Sequence, residues 1–215
     1  MKAQDKEPNT VALTGGIGSG KTTAAKAFKD TGEVRVVHAD ELARRAVEPG
    51  AAALEEIANT WSWAVDDDGK MNRGLVRAKI IPVQEEREAL EAIIHPEVER
   101  LLAEEKRRAL GSAAYVLYEH PLLLEKGGED GFDHVVVIAK DDPKAQREQA
   151  EKRDGKNSQV DKIMDLQLSN EERLEKAQQI NAEIIRNNGS IAALKFAVKM
   201  FHISYMRALE AANKK

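Results

Sequence analysis

Thr10 to Thr14 is a short apolar and β-branched run that enters a glycine cluster, and it predicts a buried strand. Thr22 to Lys29 places Ala24, Ala25 and Phe28 at helical spacing until Gly32 stops the pattern. Val34 to Val37 is a second β-branched run, separated from the first by about the length of a crossover helix. That order predicts a parallel βαβ unit with a right-handed connection. His38 to Asp40 then fall at the carboxyl end of the second strand.

The segment from Glu41 to Leu110 is helical in pattern, with breaks at Pro49-Gly50, Asp66 to Gly69 and Pro82, and it predicts a helical insertion. Strand signals return at Ala114 to Leu117, at His134 to Ala139, and at Glu183 to Ile185 before Asn187-Asn188-Gly189. Between the last two, Pro143 to Lys176 is polar and charged, with Arg147, Lys152, Arg153, Lys156 and Arg173 among many acids, and is expected to form a mobile cover. Ile191, Leu194, Val198, Phe201, Tyr205 and Leu209 follow at three- and four-residue steps, the stripe of an amphipathic helix packed on a sheet. The expected architecture is α/β: a five-stranded parallel sheet, a helical substrate-binding insertion over about 41–110, and a lid over about 142–173. The core takes about 10–40, 111–142 and 177–215, and the whole of 1–215 is expected to be one domain.

Composition narrows the classes. The chain of 215 residues is 42% hydrophobic, enough for one sizeable core. Charged residues make up 33% yet leave a formal charge of only -4, so the average surface gives no reason to expect nucleic acid or an anionic membrane as partner. With no cysteine, disulfides, thiolate catalysis and Cys-ligated metals are excluded. The polar stretch Met1 to Thr10 has no apolar core of a signal peptide, and no run approaches the roughly 18 apolar residues of a membrane span. A cytoplasmic protein with a polar, disordered start over Met1 to Pro8 is expected.

The chemistry is concentrated in Gly15-Gly16-Ile17-Gly18-Ser19-Gly20-Lys21-Thr22, followed by Thr23. This satisfies G-x-x-x-x-G-K-[ST] in its required context, after a strand and opening a helix. Glycines let successive N–H groups turn inward around phosphate oxygens, and the helix N-terminus adds positive potential. Lys21 can reach the outer phosphates and Thr22 can hold Mg²⁺. A guanine-specific Asn-Lys-x-Asp element is absent from the sequence, which favours ATP.

A phosphoryl transferase also needs a group that orients or deprotonates its acceptor. Asp40, at the end of the second strand, suits a general base, or alternatively the N-cap of a helix over Glu41 to Val47. Charge developing on the moving phosphoryl group calls for an arginine from the cover, with Arg153 first and Arg147 and Arg173 as rivals.

With these parts in order, the chain resembles the dephospho-CoA kinases, P-loop enzymes that phosphorylate the ribose 3'-hydroxyl of dephospho-CoA in the last step of coenzyme A synthesis. The resemblance covers nearly residues 10 to 205. It rests on Val11 to Thr23, Ala39-Asp40 with Ala43-Arg44, Pro49-Gly50, Asp68-Gly69 with Arg73, and Ile94-His95-Pro96. Further matches are Pro121-Leu122-Leu123 with Glu125, Arg153-Asp154, Gln167 and Asn187-Asn188-Gly189. It implies Lys21 and Thr22 for ATP and Mg²⁺, Asp40 for the acceptor hydroxyl, Arg153 for the lid, and Asn187 near the adenine. It also implies that Arg44, Arg73 and His95 frame the coenzyme A moiety with Pro121 and Leu122 nearby, although His95 read alone suits an ordinary packed histidine equally well.

Two positions depart from the family pattern: His38 stands where a first aspartate is frequent, and Gln149 where a further lid arginine is usual. The stretch Ala177 to Glu183 is about one helical turn longer than usual. Alternative readings are another small-molecule or nucleoside monophosphate kinase on the same core, and a catalytically weak ATP-binding regulatory module.

Overall fold

A computed structural model of the chain describes residues 9–154, 160, 164 and 167–214. The polar start over Met1 to Pro8, Lys156 and the middle of the expected lid lie outside these residues. By contacts the chain divides into two compact units, residues 1–36 with 109–215, and residues 37–108.

The first unit is built on the sheet. Strands β1 (Asn9–Thr14), β2 (Val34–His38), β3 (Tyr115–Glu119), β4 (His134–Ala139) and β5 (Glu183–Arg186) lie in the order β2-β3-β1-β4-β5. The pairs β1–β3, β1–β4 and β4–β5 are parallel, with Val11 opposite Leu117 on one side and His134 on the other. All five predicted strands are present: β1, β3 and β4 are buried almost throughout, and such runs in a parallel sheet are easy to read, while the edge strands β2 and β5 are only partly buried and declare themselves by their β-branched pairs. From β1 the chain steps out to β2, returns to β3 beside β1, and then passes over β1 to β4. β1 is therefore the strand at which the winding reverses, where ligands of open α/β sheets gather at the carboxyl ends.

Alternation along β1 assigns its side chains to two cores. Val11 and Leu13 face a cluster with Phe28 of α1 (Lys21–Lys29) and with Leu194, Val198 and Phe201 of α9 (Ile191–Asn213). Ala12 faces the opposite cluster, with Leu123 and Leu124 of α6 (Leu123–Lys126) and Ala177 of α8 (Asn170–Gln179). Phe28 and Phe201 meet edge to face at 5.9 Å, and Phe201 stacks on Tyr205 at 5.7 Å. The predicted α9 stripe holds from Leu194 onward, but Ile191 is 66% exposed. Ile191 is the first helical residue, directly after the Ser190 cap, and lies off the buried face. The charged stretch after β4 begins as helix α7 (Pro143–Asp154), and α8 opens with a capping box between Ser169 and Glu172.

The second unit is helical. It contains α2 (Ala39–Arg45), α3 (Ala52–Thr60), α4 (Arg73–Lys79) and α5 (Gln84–Ala109) around a core of Leu54, Ile57, Trp61, Val76, Ile80 and Leu90. Its breaks fall where the sequence puts turn formers: Gly50 and Gly69 have positive φ, and Pro82 separates α4 from α5. Trp61 donates its indole N–H to Glu86 Oε2 at 2.6 Å, and Arg45 donates to Glu105 at 3.0 Å.

Candidate active site

The loop after β1 is held in shape by side chains from distant parts of the first unit. Gln146 of α7 donates its amide N–H to the Ile17 carbonyl at 2.6 Å. The Ile17 N–H donates to Gln167 Oε1 at 2.8 Å. Asn187, just past β5, donates Nδ2–H to the Ser19 carbonyl at 2.8 Å. The loop is thereby clamped from α7, from the segment before α8 and from the end of β5, with no helix of its own until Lys21.

Two of its glycines are required by close approach. Gly18 has φ +72°, and a Cβ there would stand 2.1 Å from the Gln146 carbonyl oxygen. At Gly20, with φ +102°, a Cβ would stand 2.4 Å from Asn187 Nδ2. The loop thus buries its backbone against α7 and Asn187 at distances that only hydrogen permits.

Lys21 opens α1 and folds back on the loop, its Nζ donating to the Gly15 and Gly16 carbonyls at 2.7 and 2.8 Å. An ammonium there is already at the mouth of the phosphate cradle and can exchange carbonyls for phosphate oxygens with a rotamer change. Thr22 is exposed in the first turn of α1, Thr23 half-buried, and Ser19 buried with its hydroxyl taking no partner among the described residues. Asn187 is 8% exposed and its backbone N–H also bonds the Ala139 carbonyl at 2.7 Å, which ties the end of β5 to the end of β4.

The arginines of the charged cover separate clearly. Arg147 is exposed on α7 and pairs with Glu151 at 3.2 Å. Arg153 lies in the last turn of α7, and its side chain is outside the described residues. Arg173 is only 3% exposed, bonded to Glu125 at 3.0 Å. Gln149, at the second departure, accepts from Lys140 at 2.8 Å, so this position supports α7 instead of presenting charge. Pro121 and Leu122 are half-buried in the turn after β3, where the Leu122 N–H donates to His120 at 3.2 Å.

In the helical unit, Asp40 is exposed in the first turn of α2, whose N-cap position belongs to His38. The helix starts earlier than Glu41, so the reading of Asp40 as an N-cap is wrong. Arg44 on α2 and Arg73 at the start of α4 are exposed. His95, in the middle of α5 beside Pro96, is exposed too and pairs with Glu99 at 3.4 Å, which overturns its reading as a packed histidine.

Gln146 carried no signal in the sequence, being one amide in a polar stretch. Gln167 and Glu125 stood out only through the family pattern.

A sheet of this order, with a phosphate loop at the strand where its winding reverses and a lysine drawn onto that loop, defines a P-loop phosphotransferase. No described helix is long and apolar enough to cross a membrane. The sequence model of the family described as Dephospho-CoA kinase matches residues 9–193, and the chain belongs to that family. A dephospho-CoA kinase of Yersinia pseudotuberculosis is 37% identical over 207 residues, covering 94% of this chain and 96% of the relative. A crystal structure from Thermus thermophilus superposes with a TM-score of 0.78 at 32% identity, over 93% of this chain and 98% of that one. A dephospho-CoA kinase of Campylobacter jejuni shares the fold, with a TM-score of 0.68 at 21% identity over 94% and 98% of the two chains. Membership makes the chain an ATP-dependent phosphotransferase.

Proposed function

We propose that the chain transfers the γ-phosphoryl group of magnesium-bound ATP to the ribose 3'-hydroxyl of dephospho-CoA, giving coenzyme A and ADP. The observation that carries this reading, beside family membership, is the clamped loop with Lys21 Nζ resting on Gly15 and Gly16. The loop of Gly16, Ile17, Gly18, Ser19 and Gly20 wraps the phosphates, the Ile17 N–H exchanging Gln167 and the Ser19 N–H the Gly16 carbonyl for phosphate oxygens, and Lys21 takes the outer ones. Asn187 lines the nucleotide side of the loop, toward the adenine.

Asp40 accepts the proton of the 3'-hydroxyl as that oxygen bonds to the γ-phosphorus and the bond to the β–γ bridging oxygen breaks, releasing ADP. Its place just past the carboxyl end of β2 and its exposed carboxylate support this role. Arg153 is assigned to the lid that covers the transferring group, within a lid of about residues 142–173. The exposed Arg44, Arg73 and His95, with Pro121 and Leu122, are assigned to the coenzyme A moiety.

Mg²⁺ usually takes few protein ligands beside phosphate and water, so the exposed Thr22 hydroxyl in the first turn of α1 fits it without a carboxylate cluster. Bound there it would neutralise charge on the β- and γ-phosphate oxygens. A cytoplasmic location completes the proposal.

The test is incubation of the purified protein with Mg-ATP and dephospho-CoA, read by mass spectrometry beside Lys21→Ala. Coenzyme A and ADP in equal amounts, both lost in the variant, are the expected result. ADP without coenzyme A overturns the acceptor and directs the search to other small molecules or nucleoside monophosphates.

A further inference from the structure

Arg173 is a charged side chain that packing alone does not explain. It lies in the second turn of α8, is 3% exposed, and stands against the phosphate loop: a Cβ at Gly16 would be 2.9 Å from its Nη1 and 3.3 Å from its Cζ. Lys21 Nζ lies on the carbonyl of this same Gly16, 2.8 Å away. Two cations from different helices therefore converge on one residue of the loop, at the place where the outer phosphates of a nucleotide sit when a P-loop lysine engages them.

The guanidinium is aimed by its neighbours. Nη2 donates to Glu125 Oε1 at 3.0 Å and Nη1 to Asn170 Oδ1 at 3.4 Å. Glu125 is itself fixed, because its Oε1 also accepts the Leu168 N–H at 3.2 Å. An arginine has five N–H donors in a rigid fork, so those not spent on Glu125 and Asn170 remain to be satisfied. Around it, Gln146 Oε1, Ser19 Oγ and Glu125 Oε2 are buried with no hydrogen-bond partner among the described residues. Buried polar groups are normally satisfied, and a cluster of open ones beside an anion-binding loop marks a place completed by a ligand.

We infer that Arg173 is a catalytic residue, a second cation that contacts the terminal phosphate of ATP from the α8 side of the loop, and that Glu125 is its positioning residue. This rests on the phosphotransferase reading and adds to it. As the γ-phosphoryl group leaves ADP, charge spreads over its oxygens and the leaving oxygen. A preorganised guanidinium beside Gly16 stabilises that charge without reorganisation. A side chain at position 16 would crowd both this guanidinium and the Gln146 amide, whose Nε2 would lie 2.5 Å from the Cβ.

A buried ion pair whose only work is structural behaves differently from one that serves a ligand. Removing one partner leaves the other charged and buried, which costs stability, whereas removing both together avoids that penalty. Arg173→Gln, Glu125→Gln and the double variant Glu125→Gln/Arg173→Gln are therefore compared for Tm, for kcat and KM of ATP, and for ADP affinity by calorimetry. The expected result is that the double variant recovers most of the Tm lost by the single ones while kcat stays about 10²–10³-fold down, the loss typical of one removed transition-state donor. ADP affinity should change far less, because ADP lacks the terminal phosphate. A double variant with near wild-type kcat overturns the inference.

If the variants fail to fold, the wild-type protein with ¹⁵N-labelled arginine gives the answer. The Arg173 guanidinium resonance, assigned in wild-type protein carrying ¹³C and ¹⁵N by correlation along its side chain to its own backbone, should move on adding ADP with aluminium fluoride, and a resonance indifferent to that mimic overturns the proposal. A wild-type protein that makes no coenzyme A sinks the function proposed above, whereas normal turnover with an inert Arg173 sinks only this inference.

Discussion

Gly18→Ala tests whether the loop is shaped by the approach of α7. Two costs add. A φ of +72° puts an alanine in the left-handed region, at about 1–2 kcal/mol. The new Cβ would stand 2.1 Å from the Gln146 carbonyl oxygen and 3.3 Å from Ala150 Cβ. A backbone carbonyl cannot escape by changing rotamer, so α7 and the loop must part. The Gln146 to Ile17 hydrogen bond of 2.6 Å is the first to break, at about 1 kcal/mol net. The sum is about 2–3 kcal/mol, or a fall in Tm of about 4–12 °C for a chain of this size. Gly32→Ala is the control, since Gly32 has φ +79° with nothing within 4 Å of its Cβ position and therefore incurs only the backbone cost. Thermal unfolding by circular dichroism and the KM for ATP are measured on both. The expected outcome is a markedly larger Tm loss for Gly18→Ala, with a KM for ATP raised severalfold that Gly32→Ala does not show. Equal Tm losses and an unchanged KM would refute the claim that the approach of α7 shapes the loop.

Three further outcomes are expected. Asp40→Asn should lower kcat by about 10²–10⁴-fold, the contribution usual for a positioned base, with Tm nearly unchanged because the side chain is exposed; full turnover in a coupled ADP assay would remove Asp40 from the chemistry. Asn187→Ala should cost about 1–3 kcal/mol by denaturant unfolding, since it leaves the Ser19 carbonyl without its 2.8 Å donor, and should weaken ATP binding as well. His134 is half-buried against the rings of Phe201 and Tyr205, each at 5.6 Å, and burial holds its pKa below the ordinary 6.5 against the opposing pull of the Glu183 charge. The unfolded chain then takes the proton first as pH falls, so this stability is intact above 6.5 and is lost as pH drops through that value toward the lowered one. Tm should decline from about pH 7.5 to 5.5, and His134→Phe should flatten that decline; an equally steep profile in the variant would show that other groups cause it.

What the sequence made legible follows from how far each signal reaches along the chain. The strands could be read because a central parallel strand is apolar on both faces, as Val11, Ala12 and Leu13 are, and needs no partner to declare itself. The phosphate loop could be read because its chemistry is contiguous from Gly15 to Thr22. Local signals went wrong where a helix end decides: Asp40 fell inside α2 because the helix began at Ala39, and Ile191 kept the stripe's spacing yet turned to solvent. The rest of the site was not legible for a different reason. Gln146 and Arg173 are 3% exposed each, although both come from a stretch whose composition predicts a solvated surface. Their burial is created by tertiary approach to Ile17 and Gly16, more than 100 positions earlier in the chain, and no periodicity encodes that distance. Burying such groups is costly unless they are paired, so a folded chain retains them where they have work to do. Of the buried polar residues, Ser19, Gln146, Arg173 and Asn187 gather round the phosphate loop, whereas Glu105 pairs with Arg45 in the helical unit and His202 on α9 bonds Tyr115, so it is convergence on the loop, added to the motif, that marks the site.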